Sequence, residues 1–496
     1  MKSDLNFRII KDGSITDMYD LGIWVESFHI FSPNITREKL QVAGHPGAYL
    51  LESNEEERQV SISMQVEADS LKAFDDLKHR IYELFFSREA FVITRDLTPD
   101  RKIKVLQEGD YDIDQITTED GKFQINLTML DPYLYGDEEE ALFSEDTLLL
   151  YYEGTAPTYP IFEIEVLEDI THLDMIKSLE DELEFMRIGR PPIASEEEYE
   201  RETLVLHDSC STLNGWTQAG AVDNGYVDGN FMVEGNRFTP ELFSAAQEPY
   251  KWQGPSIKRS IGKALSSYKI DVLVELVNVA KGTGMMEVYL LDANNNVIAK
   301  IGVEDIWRTM DKIQAKFQLG NVGEDRYQDY REPAYPWGWN NFKGLLRLWS
   351  HDHYEGGKRR IRPYFALIEP DGTHNWVSSS DLYIGPSGKY DNPITQVQFA
   401  SRIWAPTNTK ADMYFDDLKV YEINPAPVEG VQWLAKAGDK IVIDTKEEDI
   451  LLNGESIKKE RSLGSEFFSL DPGLNMLVQY PQQSVRTKIF YEPAYR

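Results

Sequence analysis

The 496-residue chain contains a single cysteine and no long apolar run. That cysteine, Cys210, cannot form a disulfide within the chain, and we expect it to be a small core residue. No stretch approaches the roughly 18 consecutive apolar residues of a membrane-spanning helix. The beginning, MKSDLNFRIIKDGS, lacks the apolar core of a signal peptide. These absences predict a protein that is made in a cytoplasm and neither enters a membrane nor follows the usual secretion route.

Basic residues are scarce relative to acidic ones. The sequence has 51 Lys and Arg against 84 Asp and Glu, which gives a net charge of −33. Nucleic-acid binding depends on basic side chains that meet phosphates, so this balance argues against general nucleic-acid binding. The acids are spread along the chain rather than gathered in a tail, which is typical of a soluble protein of several domains.

The sequence also lacks the signatures of common catalytic sites. Nucleophile-elbow, zinc-protease, phosphate-loop and dinucleotide-binding motifs are missing. Carboxylate pairs arise by chance among 84 acids, so they do not indicate a hydrolase. His351 and His353 lack further ligands at a spacing that suits zinc, and we interpret their segment as a solvent loop. We therefore predict that the protein is not an enzyme, and we assign no catalytic residue.

What the sequence does contain is a succession of β-type patterns. In QVSISMQV (59–66) apolar and polar residues alternate, as on a half-buried strand. From Ser70 to Phe85 apolar residues recur at spacings of three and four, which predicts an amphipathic helix capped near Asp69 or Ser70. Further strand patterns follow. We predict an α+β domain over residues 1–147 in a chain that is otherwise mainly β.

A second region is unusually rich in aromatic residues. Residues 204–424 hold eight of the ten tryptophans, together with many short strand-like segments separated by turns. This pattern is typical of a β-sandwich or jelly roll, and we place such a module at residues 203–425. Segments with prolines and acids, IGRPPIASEEEYERE (188–202) and NPAPVEG (424–430), flank it as linkers.

The segment GDKIVIDTKEEDILLNGESI (438–457) predicts a β-hairpin followed by a tight Asn-Gly turn. An isolated hairpin is marginally stable, and the strands near 155–174 are also too few for a domain. We therefore predict one small β-domain split between residues 148–190 and 430–496, with the aromatic module inserted into one of its loops. Strands near 161–166 and 440–452 should then share one sheet or one core.

Four stretches together resemble the distal tail proteins of long-tailed phages that infect Gram-positive bacteria. They are GHPGAYLL (44–51) with the strand and helix that follow it, INLTMLDPYLYGDEEE (125–140), YYEGTAPTYPIFEIEV (151–166), and the segment from the hairpin to the end of the chain. They cover about half of the chain, in the order that the family has them and at both ends.

This resemblance implies a homohexameric ring built by the N-terminal domain, a β-sandwich with a helix, from which a galectin-like sandwich projects. In the family the ring caps the tail tube and is the hub for host-binding baseplate proteins, such as a tail-associated lysin, a tail fibre hub or a receptor-binding protein. The protein would then belong to the tail tip of a virion assembled in the host cytoplasm. DNA would pass through an acidic lumen without specific binding.

The inserted module resembles the carbohydrate-binding modules of longer, evolved members of the family, through LVLHDSCSTLNGW (204–216) and MYFDDLKVYEI (413–423). Exposed aromatic rings suit sugars because the C–H face of a sugar ring stacks on an aromatic plane. The loop-like AYPWGWNNFKG (334–344) is the strongest candidate for such a site. The predicted saccharide-binding residues are Trp337, Trp339, Tyr335, Trp252 and Trp376, whereas Trp216 and Trp349 are predicted to be core residues.

Three acids are candidates for a structural calcium site. Asp416 and Asp417 lie in the last strand of the module and Asp208 lies near its start. Pairing of the first and last strands would bring their carboxylates together, and calcium prefers oxygen ligands. The alternative is that these are solvated acids beside a strand.

The sequence therefore predicts a structural hub protein of a phage tail tip with an inserted module that binds cell-wall saccharide. One alternative is a cell-wall-acting glycan hydrolase or binding protein outside a phage tail. Another alternative retains the ring and makes the insert a docking spacer for other baseplate proteins.

Overall fold

The chain folds almost entirely into β-strands, with one α-helix among the described residues. The computed structural model describes residues 3–42, 44, 46–179, 182–320, 327–334, 337–351, 358–384, 390–406 and 409–496. Within these ranges no helix is long and apolar enough to cross a membrane.

The N-terminal part forms a mixed-length antiparallel sheet with the order β2-β1-β7-β8-β10-β6-β3. Its register is longest where β10 pairs with β6, from Asp120↔Glu67 to Met129↔Arg58. The elements are β1 (Phe7–Lys11), β2 (Ser14–Asp17), β3 (Ile23–Ile30), β4 (Ile35–Leu40), β5 (Tyr49–Glu55), β6 (Arg58–Glu67), α1 (Leu71–Phe85), β7 (Phe91–Arg95), β8 (Thr98–Gln107), β9 (Asp114–Gln115), β10 (Asp120–Met129) and β11 (Leu134–Tyr135).

The predicted helix is confirmed as α1. The Ser70 hydroxyl caps its N-terminus by accepting a hydrogen bond from the Ala73 N–H at 3.2 Å, which satisfies one of the free amides of the first turn. Phe74, Ile81 and Phe85 are buried against the sheet. The apolar stripe of the sequence therefore packs α1 onto the N-terminal core.

Strands β4 and β5 stand apart from this sheet as a two-stranded arm. Every described residue of β4, and all but the last residue of β5, is exposed. Among them Leu40 and Tyr49 are direct cross-strand neighbours and are 48% and 54% exposed. A pair of strands with apolar residues open to solvent on this scale is typical of a surface that a partner covers.

The next strands begin a second sandwich before the chain enters the insert. They are β12 (Glu139–Leu142), β13 (Thr147–Tyr152), β14 (Ile161–Val166), β15 (His172–Leu179) and β16 (Glu182–Gly189). The linkers on either side of the insert run together, because β17 (Glu197–Tyr199) pairs in parallel with β36 (Gly430–Gln432). The insert therefore leaves and rejoins the second sandwich at neighbouring points.

The insert is a sandwich of two large sheets. One has the order β21-β22-β35-β25-β30-β31-β32, and the other β19-β24-β34-β26-β27-β28-β29, with short strands attached. Their strands are β18 (Glu202–Asp208), β19 (Thr217–Gln218), β20 (Gly225–Val227), β21 (Asn230–Glu234), β22 (Arg237–Leu242), β23 (Trp252–Gly254), β24 (Ser256–Leu265), β25 (Tyr268–Val277), β26 (Gly284–Leu291), β27 (Val297–Asp305), β28 (Gln314–Leu319), β29 (Tyr327–Arg331), β30 (Phe342–His351), β31 (Arg359–Ile368), β32 (His374–Ser379), β33 (Leu382–Ile384), β34 (Ile394–Trp404) and β35 (Asp412–Ile423).

After the insert the chain returns to complete the second sandwich with β37 (Lys440–Asp444), β38 (Asp449–Leu452), β39 (Glu455–Ser456), β40 (Gly473–Tyr480), β41 (Val485–Tyr491) and β42 (Ala494–Tyr495). Its sheets have the orders β12-β41-β14-β37-β38-β39 and β13-β40-β15-β16. Strand β14 pairs with β37 in a register from Ile161↔Asp444 to Glu165↔Lys440. The predicted pairing across the insert is thereby confirmed.

The junction between the first two domains differs from the predicted boundary at residue 147. Strand β12 pairs with β41, and Phe143 is buried in the core of the second sandwich. Strand β42 in turn pairs with β11 of the N-terminal sheet. The boundary differs because β12 joins a sheet of the second sandwich, whereas β42 joins the N-terminal sheet. A composition shift in the sequence does not reveal such an exchange of strands.

The predicted hairpin also touches the insert. A Cβ placed on Gly454 would lie 2.0 Å from the carbonyl oxygen of Gly372, and the His374 N–H donates to the Gly454 carbonyl at 3.0 Å. Beside this contact Arg347 of the insert forms an ion pair with Glu455 of the hairpin and a second one with Asp271. The insert is therefore held against the second sandwich by the Asn453-Gly454 turn that follows β38.

Candidate saccharide-binding surface

The two tryptophans of the WGW motif have opposite environments. Trp339 is 1% exposed and packs in the core against Phe342 and Phe365, with ring centroids 6.1 and 6.0 Å away. Its indole N–H donates to the backbone carbonyl of Trp376 at 2.9 Å. This placement corrects the prediction that Trp339 contacts saccharide, because its ring leaves no face open to a ligand.

Trp337 and Trp376 lie beside each other at the surface. Trp337 is half-buried in a turn, and Trp376 is 40% exposed. The Trp376 ring packs directly on Gly338, where an added Cβ would lie 2.2 Å from the indole. Residue 338 must therefore be glycine, because any side chain there would collide with the Trp376 ring. Tyr335, the remaining candidate of this motif, lies outside the described residues.

Trp307 joins this surface, although the sequence reasoning did not select it. It is 36% exposed and follows the end of β27. The Lys312 ammonium lies 5.3 Å from the centroid of the Trp307 ring and 5.9 Å from that of Trp337, so it bridges the two rings. We name Trp307, Trp337 and Trp376 the tryptophan surface. The sequence signal that could have identified Trp307 is a tryptophan two residues after a strand, in the loop that leads to β28.

A buried carboxylate holds the Trp307 loop in place. Asp305 accepts hydrogen bonds from the N–H groups of Trp307 at 3.1 Å and Lys312 at 3.3 Å, and from the Asn278 side chain at 2.5 Å. Burial of the carboxyl raises the pKa of Asp305 to about 6. The Asp305 carboxylate therefore ties together the two ends of the 305–312 loop, which restricts the position of Trp307.

Asparagines attach the neighbouring loops to the same framework. Asn340 accepts from the Ile313 N–H at 3.1 Å and donates to the Asp311 carbonyl at 2.8 Å. Asn278 and Asn341 exchange backbone-to-side-chain hydrogen bonds in both directions. Loops that are tied by side chains in this way present a preorganised surface, which reduces the entropy lost on binding.

Trp252 lies on β23 and packs beside Trp404, with ring centroids 6.0 Å apart. The register of β23, β34, β26 and β27 brings this pair to the end of the sandwich at which β27 finishes. Trp216 and Trp349, which the sequence predicts to be core residues, are 9% and 8% exposed. Both predictions are confirmed.

The strands that carry the three predicted calcium ligands pair as expected, with Asp208 opposite Leu418, but the carboxylates have different partners. Asp208 is buried and accepts from the Cys210 N–H at 2.9 Å and from the Trp216 indole at 2.8 Å, in contact with Arg259. Asp417 instead forms an ion pair with His207 at 2.7 Å. Within the ranges that the structure describes, no group of three His, Cys, Asp or Glu side chains is placed to hold a metal.

Asp416 differs from its neighbours because it occupies a β-bulge. Strand β35 pairs Phe415 with Val274 and Asp417 with Leu273, so Asp416 is the extra residue between them. Cys210 is buried, as predicted, and burial raises the pKa of its thiol. His351 packs against Trp349 with centroids 4.1 Å apart, and His353 lies outside the described residues.

Comparison with known proteins gives matches at both ends of the chain. Residues 17–129 match the model of the phage tail protein RIFT-related domain, and residues 416–495 match that of the siphovirus-type tail component, C-terminal domain. No curated protein sequence matches the chain.

Several solved structures resemble parts of the chain. The CBM2 module of the evolved Dit of Lactobacillus casei BL23 phage J-1 is 15% identical, with a TM-score of 0.36, over 46% of this chain and 99% of that chain. The SPP1 Dit protein is 19% identical, with a TM-score of 0.32, over 37% of this chain and 74% of its own. SCLam, an endo-β-1,3(4)-glucanase of family GH16, is 12% identical, with a TM-score of 0.33, over 48% and 96%.

The two matched models describe components of the same kind of tail, and they occur in order around the insert. The first covers most of the N-terminal sheet with α1, and the second covers the strands that complete the split sandwich. The chain therefore has, on either side of its insert, two regions that match domains of siphophage tail components.

Proposed function

We propose that this protein forms a hexameric hub at the tip of the virion tail, between the tail tube and the host-adsorption apparatus, and that its insert binds cell-wall saccharide. The observation that carries the proposal is the matched pair of tail domains that encloses a sandwich with the tryptophan surface. The protein would be made in the host cytoplasm and would act without catalysis.

The arm formed by β4 and β5 supports ring formation. Its apolar side chains are about half exposed, and burying the exposed half of each one against a neighbouring subunit would contribute about 1 kcal/mol. A contact between an arm and a different surface of the next subunit closes into a ring when the rotation is right. The chain's charge of −33 suits a lumen through which DNA passes without binding.

A second exposed apolar face provides a docking surface for other tail-tip proteins. It lies on the outer side of the sheet β13-β40-β15-β16. Leu149 and Tyr151 of β13 stand opposite Met476 and Leu474 of β40, and these four are 38–68% exposed. We assign to this face the contact with a tail-associated lysin, a fibre hub or a receptor-binding protein, and to the ring the contact with the tail tube protein.

The tryptophan surface supports saccharide binding by the insert. Trp307, Trp337 and Trp376 present aromatic faces on loops that buried hydrogen bonds hold in place. Indole rings at the surface lose little conformational freedom when a sugar stacks on them. The alternative in which the insert is only a docking spacer gives these exposed rings no role.

Binding of the full-length protein to purified Gram-positive cell walls tests the proposal. We expect a variant with Trp307→Ala and Trp337→Ala to lose at least tenfold in wall binding, because the stacking faces are gone. Tyr151→Ala, which removes a ring that is 68% exposed on the second sandwich, is the matched control and should bind normally. Equal binding by all variants contradicts the site, and release of sugar by the wild-type protein favours the hydrolase alternative.

A further inference from the structure

A groove on the outer face of the insert lies beside the loops that carry Trp337 and Trp376. Its volume is about 500 Å³, within the roughly 300–1,000 Å³ typical of small-ligand sites. The groove runs between β25, the start of β30 and the turn after β31. The residues that give it its chemistry are Leu273, Leu367, Ile368, Pro370, Asn341 and Asp416.

Asp416 is the notable polar group in this groove. The bulge of β35 turns its carboxylate out of the normal strand alternation, and the residue is half-buried. It makes no hydrogen bond or ion pair with the residues that the structure describes, in contrast to Asp417 beside it. Burial raises the pKa of Asp416, which reflects the unfavourable desolvation of this charge.

A half-buried carboxylate that has no hydrogen-bond partner in the described part of the chain, and only the more distant charges of Arg237 and Lys343 to balance it, lowers stability. Such a group is commonly found where a ligand supplies the missing partner. The floor of the groove adds an apolar contact surface from Leu273, which is 36% exposed, and from Ile368. Asn341 lies at its edge and belongs to the loop that begins with Trp337. The groove and the tryptophan surface therefore share their supporting loops.

We propose that this groove is a second subsite for a neutral saccharide unit, with Asp416 accepting hydrogen bonds from sugar hydroxyls. Leu273 and Ile368 contact the C–H face of the same sugar. This inference rests on the proposed saccharide binding by the insert and extends it from aromatic stacking to a polar subsite. A glycan that fills the groove continues past the 337–341 loop to the tryptophan surface.

The charges of the groove select against acidic glycans. Its lining has two acids, Asp416 and Glu369, and one base, Lys343. A phosphate or carboxylate on the ligand would meet the unpaired charge of Asp416, and repulsion between like charges in a half-buried site is unfavourable. An uncharged sugar with neighbouring hydroxyl groups can donate to this carboxylate instead.

A printed array of neutral and phosphate-bearing cell-wall oligosaccharides, probed with the full-length protein, tests the assignment. We expect binding to neutral glycans, and about a tenfold or greater loss for Asp416→Asn, since the charged acceptor is replaced by a neutral amide. Leu273→Arg, which blocks the floor of the groove, should give a similar loss. Asp412→Asn changes an exposed acid on the same strand and is the matched control.

The outcomes separate this inference from the proposed function. Asp416→Asn should unfold at the same temperature as the wild type or higher, because it removes a half-buried charge that has no hydrogen-bond partner among the described residues, so lost binding would not reflect misfolding. Binding that is abolished by Trp307→Ala but unchanged by both groove variants overturns the subsite and leaves the proposed function intact. A preference for phosphate-bearing glycans overturns the neutral class, and absence of binding by the wild type overturns both.

Discussion

Trp339 packs between the sheets of the insert, whereas Trp337 lies at the surface two residues earlier. Trp339→Ala should lower the free energy of unfolding by about 3–5 kcal/mol, because it leaves a cavity in the core. Trp337→Ala should change the melting temperature little and reduce saccharide binding instead. Thermal unfolding and wall binding of the two variants check this division. Equal destabilisation by both substitutions would contradict it.

Asp305 makes the loop of Trp307 sensitive to pH. Its pKa in the folded protein is about 6, above the usual value for a carboxyl, so the folded state binds the proton more tightly than the unfolded state. Its contribution to stability therefore increases as the pH falls through about 6, and this gain is absent at higher pH. The free energy of unfolding of the wild type, relative to that of Asp305→Asn, should be larger at pH 5 than at pH 7.

Denaturant unfolding at the two pH values measures this difference. Asp412→Asn is the control for removing one carboxylate from the insert, because that residue is exposed on β35. A difference between wild type and Asp305→Asn that stays constant, or that falls on acidification, would contradict the assigned direction.

At the scale of elements, the hairpin of β37 and β38 joins two parts of the molecule. Gly454 has φ of +86° and its backbone contacts Gly372 of the insert, whereas Gly438 has φ of +93° and open space around it. Gly438→Ala should cost about 1–2 kcal/mol for its backbone conformation alone. Gly454→Ala should cost more, and should separate the Asn453-Gly454 turn from the insert, because a side chain there collides with backbone.

Hydrogen exchange of the His374 amide, which donates to Gly454, reports this separation directly. We expect its protection to fall in Gly454→Ala and to persist in Gly438→Ala. Loss of protection in both variants, or in neither, would show that the Asn453-Gly454 turn does not hold the insert.

At the scale of the whole molecule, we expect the arm to decide whether subunits assemble. Leu40→Ser with Tyr49→Ser removes a cross-strand apolar pair, and we expect it to shift the protein from hexamer toward monomer. Light scattering after size-exclusion chromatography, with negative-stain imaging, measures the change. Leu149→Ser, at an equally exposed site on the second sandwich, should leave the ring intact. A wild-type protein that is monomeric throughout would contradict the ring.

The order of domains and the split of the second sandwich were predictable from the sequence. The runs PIFEIEV and KIVID have the composition of buried strands. PIFEIEV has no strand pattern nearby that would complete a sheet, and KIVID has only the short second strand of its own hairpin. Their pairing follows because a single strand or an isolated hairpin is marginally stable and becomes stable when it joins a larger sheet. The exchange of β12 and β42 between neighbouring domains was not predictable, because strands this short have too few residues for their sequence pattern to indicate which strand they pair with.

The sequence by itself determined which segments are strands and which one is the helix. Apolar residues that recur at every second position indicate a half-buried strand, and those that recur at every third or fourth position indicate a half-buried helix. It also determined that a large aromatic module interrupts a smaller domain. Only the tertiary structure decided which tryptophans lie at the surface and that Asp416, rather than Asp208, faces a groove. Loop residues and bulges follow no period, so the direction of their side chains depends on contacts made by distant segments.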